Sequence, residues 1–362
     1  MRFSRHILTT RVMARKPAQW AALLAGSVLL LLALEAVHLP AALLLGPMLA
    51  GIAISAAGAS LRVPNGFYLA AQALVGAMIA RSLPLSHLGN ILSEWPVLLF
   101  GVGSTLLAAA GIGWLLTRWR VLPGTTAIWG SSPGAASTMV VMAEAFGADV
   151  RLVAFMQYLR VMCVAGTASL IASLVMAHGG HKPAAINWFP AFDGVGFAVT
   201  LALMLGSGFA AHRLKIPAGG FIVPMVVAGL MNNLVHYPVV LPPWLLALSY
   251  AVFGWSIGLR FTRAILLYAM RALPRLLLAI VVLITLCAGF GSILSHLAGV
   301  DPLTAYLATS PGGADSVAII AASSKVDMPF VMTMQMVRFL AVTVTGPALA
   351  RFLAAKVPAK VA

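Results

Sequence analysis

The chain has 362 residues, of which 61% are hydrophobic and only 9% charged, with a mean hydropathy of +1.01. A soluble domain carries about 25% charged residues, so the composition excludes one. The formal charge of +15 sits in short segments between apolar runs, not on a basic face, and points to membrane topology rather than to nucleic acid.

In chain order, residues 1–17 form a basic tail ahead of an apolar run from Trp20 to His38. That run is longer than a signal-peptide core and no clear small-x-small cleavage site follows, so it is expected to stay as a first helix with a cytoplasmic tail. Further runs lie near 41–59, 67–80, 96–116, 152–177, 194–211, 221–235, 245–259, 276–297 and 330–350. Transmembrane length is about 20 residues, so an all-α polytopic membrane protein is expected. Cys163 and Cys287 fall inside predicted spans and read as packing residues. His178 and His181 are the one close histidine pair, in a predicted external loop, and no helical zinc motif or nucleotide-binding P-loop is present.

The chain writes one pattern twice. "SSPGAASTMVVMAEAFGADVRLVAFMQYLR" (Ser131 to Arg160) and "TSPGGADSVAIIAASSKVDMPFVMTMQMVR" (Thr309 to Arg338) align without a gap at an offset of 178 residues. "GPMLAGI" (Gly46 to Ile52) similarly resembles "VPMVVAGL" (Val223 to Leu230). If each Ser-Pro-Gly stretch dips into the membrane and returns, 18 of the 23 Lys and Arg face the cytoplasm; if both stretches span, the balance falls to about 12 against 9. The hairpin topology gives each half five transmembrane helices plus one re-entrant or broken-helix hairpin. Five is odd, so the second half enters upside down. The expected organisation is a repeat over 18–178, a connecting loop over 179–191, an inverted-topology repeat over 192–355 and a tail over 356–362, a plan common in secondary transporters.

The repeated residues have chemistry to offer. Pro133-Gly134 and Pro311-Gly312 break a helix inside the membrane, which requires protein or water around the freed backbone. A half-helix starting at such a break points its N–H groups at it and favours an anion; a ligand-free kink is the bland alternative. Asp149 and Asp327 sit where a helix N-cap is expected, with ion coupling as the minority reading. Arg160 and Arg338 lie about 11 residues further on, roughly 16 Å along the helix and close to mid-membrane. Gln157 and Gln335, three residues earlier, share their face. An arginine at that depth faces a cavity, a partner or a ligand, so these two either bind a shared anion or pair with carbonyls of the broken helix. Asp315 answers Ser137, so the second copy alone has an acid just after its break.

These paired motifs, with "GPMLAG", resemble the AbrB family of bacterial membrane proteins over nearly the whole chain. The resemblance implies an internally duplicated inner-membrane protein with Pro133, Gly134, Asp149, Gln157, Arg160, Pro311, Gly312, Asp327, Gln335 and Arg338 as signature positions. Members commonly place an acid shortly after Pro-Gly-Gly; here the first copy reads "PGAAST" and the second "PGGADS". Labels of ammonia monooxygenase or regulator of gene expression attach to the family. An oxygenase needs clustered His or carboxylate ligands, and none appear at suitable spacing. No soluble DNA-binding segment is visible, so regulation would act indirectly.

The expected function is secondary transport of a small anionic organic solute, at a substrate site made of Pro133, Gly134, Ser137, Gln157, Arg160, Pro311, Gly312, Asp315, Gln335 and Arg338. No enzyme activity, metal or cofactor is expected. The expected partners are the solute and the lipid bilayer, not nucleic acid, and homo-oligomerisation is left open. The expected location is the bacterial inner membrane, with both termini cytoplasmic. A membrane sensor or accessory subunit is the alternative, with a membrane oxygenase below it.

Overall fold

The computed structural model describes residues 16–37, 39, 41–81, 95–122, 125–132, 143, 147–178, 187–191, 193–216, 219–235 and 237–355. Pro133, Gly134, Ser137 and His181 lie outside the described residues, as do the side chains of Asp315 and His178. The described residues form helices and no strand. The first half contains α1 (Lys16–Ala36), α2 (Ala42–Ala56), α3 (Asn65–Arg81), α4 (Trp95–Arg118), α5 (Thr126–Ser131) and α6 (Val150–His178). The second contains α7 (Gly194–Arg213), α8 (Gly219–Asn233), α9 (Pro243–Gly258), α10 (Arg263–Ala269), α11 (Leu273–Ala298), α12 (Pro302–Thr309), α13 (Ala314–Ala322) and α14 (Met328–Ala355). The starts of α1, α3, α4 and α6 recur 178 residues later as those of α7, α9, α11 and α14.

Local chemistry explains several of these boundaries. Asp193 caps α7 by accepting from the N–H of Val195 (3.2 Å) and Gly196 (2.7 Å). Asp301 caps α12 through the Thr304 N–H (3.0 Å), with Pro302 at the first position, where no N–H is needed. α11 stops at Gly299, whose φ of 64° is left-handed.

Five helical segments among the described residues are long and apolar enough to cross a membrane: α1, α4, residues 150–175 of α6, α7 and α11. Their outward faces carry side chains such as Leu29, Leu107, Val195 and Leu278, which are 65–75% exposed and would be untenable in water over so large a patch. This is a polytopic, all-helical membrane protein. The expectation of about 20 residues in every run needs correction for α2, α3, α8 and α9, which have 15, 17, 15 and 16 residues. At 1.5 Å per residue they fall short of a hydrocarbon core of about 30 Å. For α2 burial permits this: it buries ten of its fifteen residues, whereas lipid-facing α1 buries only Gln19, Leu23 and Ser27. Helix α9 also bends by 53° into short α10, which lies at the surface among Arg260, Arg263 and Arg271.

The main contacts divide the helices into two packing groups, each drawing on both halves. One comprises α1, α2 and α3 with α7, α8 and α9; the other comprises α4, α5 and α6 with α11, α12, α13 and α14. Within the first group the halves are interleaved, because α3 lies against α8 and α9 against α2. Gly76 of α3 faces the backbone of Phe221 and Met225, and Gly254 of α9 faces that of Leu44 and Met48. Missing side chains let these backbones approach closely. Between the groups, α13 touches α3 and α10 touches both α2 and α6.

Candidate functional site

The site begins with two short helices that end inside the protein. α5 and α12 each finish at a serine in extended conformation, Ser132 and Ser310, and Pro311 and Gly312 follow in the second copy of the motif. The last carbonyls of a helix have no partner within it and carry partial negative charge. Buried in a membrane protein, they need donors.

Gln157 and Arg160 of α6 supply those donors to α5. The Gln157 amide donates to the carbonyls of Trp129 (2.9 Å) and Ser132 (3.0 Å). Arg160 Nη1 donates to the carbonyls of Ser131 (3.0 Å) and Ser132 (2.9 Å), and Nη2 to Gln157 Oε1 (2.8 Å). α14 repeats the arrangement on α12. Gln335 donates to the carbonyls of Leu307 (2.8 Å) and Ser310 (3.4 Å). Arg338 Nη1 donates to the Ser310 carbonyl, while Nη2 donates to the Gly312 carbonyl (2.9 Å) and to Gln335 Oε1.

All four side chains are buried: Gln157 and Gln335 are 0% exposed, Arg160 2% and Arg338 3%. Beside the second break, the Cys287 carbonyl accepts from Thr309 Oγ1 (2.9 Å). Among the described side chains no carboxylate pairs with either arginine. Each keeps one donor in reserve, since Nε of Arg160 and Nε of Arg338 are buried without a hydrogen-bond partner. The arrangement thus has two cations, one from each half, each held rigidly by carbonyls and each with an N–H to offer.

The start of each long helix is fixed in the same duplicated way. Asp149 Oδ1 accepts from the N–H of Arg151 (3.0 Å) and Leu152 (3.2 Å), and Asp327 Oδ1 from that of Phe330 (3.0 Å). The N–H of Asp149 donates to Thr126 Oγ1 and that of Asp327 to Thr304 Oγ1, both at 3.1 Å. Sequence reasoning missed these threonines, although they obey the 178-residue spacing and so carried a usable signal. The backbone of Asp315 falls in the first turn of α13, and Gly313 precedes that helix without a side-chain cap.

A separate cavity of about 440 Å³ lies between the two packing groups, walled by the segment after α2, the end of α9, the start of α10 and one face of α6. Its lining includes Arg62, Tyr68, Tyr158 and Arg260, none of which the repeated motif marks. The Arg260 guanidinium carbon lies over the Tyr158 ring, 4.6 Å from its centre.

Comparison with known proteins gives a consistent family. The model described as "Transition state regulatory protein AbrB" matches residues 43–354. A protein of Escherichia coli (strain K12) named "Putative regulator AbrB" is 46% identical over 344 residues, covering 94% of this chain and 98% of that protein. The "Uncharacterized protein YhjN" of Bacillus subtilis (strain 168) is 25% identical over 302 residues, covering 78% and 77% of the two chains.

Proposed function

Since the chain belongs to the AbrB family and each half brings one arginine to a helix break, we propose that it is a secondary transporter of a small anionic organic solute. The carrying observation is the pair of buried guanidinium groups, one from each half, each with an unpartnered Nε–H. A cation at such depth costs several kcal/mol and is kept where it has a partner or a function. Carbonyls hold the two arginines in place, and a solute carboxylate would accept the remaining N–H groups.

The halves are read as inverted-topology repeats of five crossing helices and one broken-helix hairpin each, a reading supported by the recurrent helix starts. Alternating access would then move the group holding α4–α6 and α11–α14 against the group holding α1–α3 and α7–α9. The excess of Lys and Arg in one set of loops favours cytoplasmic termini in a bacterial inner membrane. The reading assigns no catalytic residue and no cofactor.

Purified protein in lipid vesicles, offered labelled carboxylates and phosphates, tests the proposal. Arg160→Ala and Arg338→Ala should each abolish uptake while the protein still inserts. Lysine at either place should restore only part, because it lacks the planar two-pronged donor. Unchanged uptake in both alanine variants refutes this site. The name of the Escherichia coli relative favours a second reading, a membrane sensor that binds the anion without moving it. Uptake by the purified protein alone rules that out.

A further inference from the structure

The cavity between the two packing groups contains charge that the repeated motif does not explain. Arg62 and Arg260 both line it, and no acidic residue is among its described lining residues. Arg62 has no protein partner among the described residues, and Arg260 donates only its Nε–H, to the Ser256 carbonyl at 3.2 Å. The Arg260 guanidinium lies over the Tyr158 ring, and its Nη groups make no hydrogen bond to a described residue, which leaves them available to a carboxylate. The same lining includes the apolar side chains of Val63, Phe155, Phe261 and Ile265. A volume of about 440 Å³ lies within the range for small-molecule pockets, about 300–1,000 Å³.

Charged and apolar side chains in one cavity select a ligand with both characters. We infer that this cavity binds an amphipathic organic anion, a carboxylate carried on an aromatic or branched apolar body, through Arg62, Arg260 and the Tyr158 face. The position adds meaning. Ala154, Phe155 and Tyr158 line the cavity from the same helix whose opposite face sends Gln157 and Arg160 into the α5 break. A ligand here would touch α6 of one packing group and α9 of the other, across the boundary that transport would have to shift. The inference deepens the transport reading by naming the solute class and a waiting position for it, and its test needs no flux.

The test uses 4-azidobenzoate, a photoreactive aromatic carboxylate, on the purified full chain, with labelled peptides located by mass spectrometry. Labelling should concentrate on the segments around Tyr158 and around Arg62 to Tyr68, and fall when unlabelled benzoate, but not neutral benzamide, is added. In Arg62→Gln/Arg260→Gln it should drop about tenfold or more, as expected when a charge-assisted contact is lost. The double lysine variant, which keeps the charges, should retain most of it, and a normal elution profile for both shows that folding is intact. Labelling scattered over the chain, or unchanged by removal of both charges, overturns the inference. So does labelling suppressed by phosphatidylglycerol in the vesicles but not by soluble carboxylates, which would make this a lipid phosphate site. Local labelling in a protein with no measurable uptake leaves the cavity site standing and sinks the transport reading; Arg160-dependent uptake without local labelling does the reverse.

Discussion

Replacing Gln157 by leucine removes the donor that closes α5 while nearly preserving side-chain size. The Ser132 carbonyl keeps its bond from Arg160 Nη1 at 2.9 Å, so the bonds lost are those from Gln157 to the Trp129 carbonyl and from Arg160 Nη2 to Gln157 Oε1. A buried polar group without a partner costs about 1–3 kcal/mol, with charged groups higher. In membrane proteins single hydrogen bonds average about 0.6 kcal/mol and reach about 1.7, because the unfolded chain in lipid also finds partners. Two lost bonds, one of them from a charged donor, therefore put the loss at about 2–4 kcal/mol. Gln335→Leu should cost less, since Arg338 Nη2 keeps the Gly312 carbonyl as partner at 2.9 Å, whereas Arg160 Nη2 keeps none among the described residues. Denaturant unfolding in detergent micelles, followed by tryptophan fluorescence, reads both. Should Gln157→Leu unfold at the wild-type midpoint, or Gln335→Leu prove clearly the worse of the two, the carbonyl-closing role of these glutamines is wrong.

Other expected outcomes can be checked by similar means. Gly254→Ala would place a methyl 2.5 Å from the Leu44 carbonyl oxygen and 2.9 Å from the Met48 nitrogen, both fixed backbone, so α9 and α2 must separate at a cost of about 1–3 kcal/mol. Gly103→Ala is its control: nothing stands within 4 Å of the added carbon, and the change should be neutral or stabilise α4 by up to about 1 kcal/mol. A lowered midpoint for Gly103→Ala comparable with that of Gly254→Ala would refute the packing argument. At the surface, the Tyr268 hydroxyl donates to Asp149 Oδ2 at 2.6 Å, and this bond to a carboxylate raises the phenol above its ordinary value of 10.0. The contact contributes while the phenol is protonated and is lost as the pH rises through that elevated value. An ultraviolet difference titration against Tyr268→Phe should therefore show late ionisation, brought back toward the ordinary range by Asp149→Asn; an unshifted titration would deny the bond.

The sequence by itself determined the membrane character, the duplicated spacing and the starts of α6 and α14. These are one-dimensional properties: apolar length, a gapless offset, and an aspartate whose carboxylate reaches only its own next few N–H groups. Gln157 and Arg160 were legible as buried and as sharing a face, since three residues is nearly one helical turn. Their partners were not, because the carbonyls of Trp129, Ser131 and Ser132 lie about 28 residues upstream and side-chain chemistry alone does not say which end of a broken helix an arginine meets. The shortness of α2 was also hidden, since a largely buried helix and a lipid-facing one share the same apolar composition. Only the tertiary structure decided that α3 lies on α8 and α9 on α2, and that Arg62, Tyr158 and Arg260, from three separate segments, share one cavity. Hydropathy and spacing fix what each segment must bury; the packing of backbones against one another fixes what it is buried against.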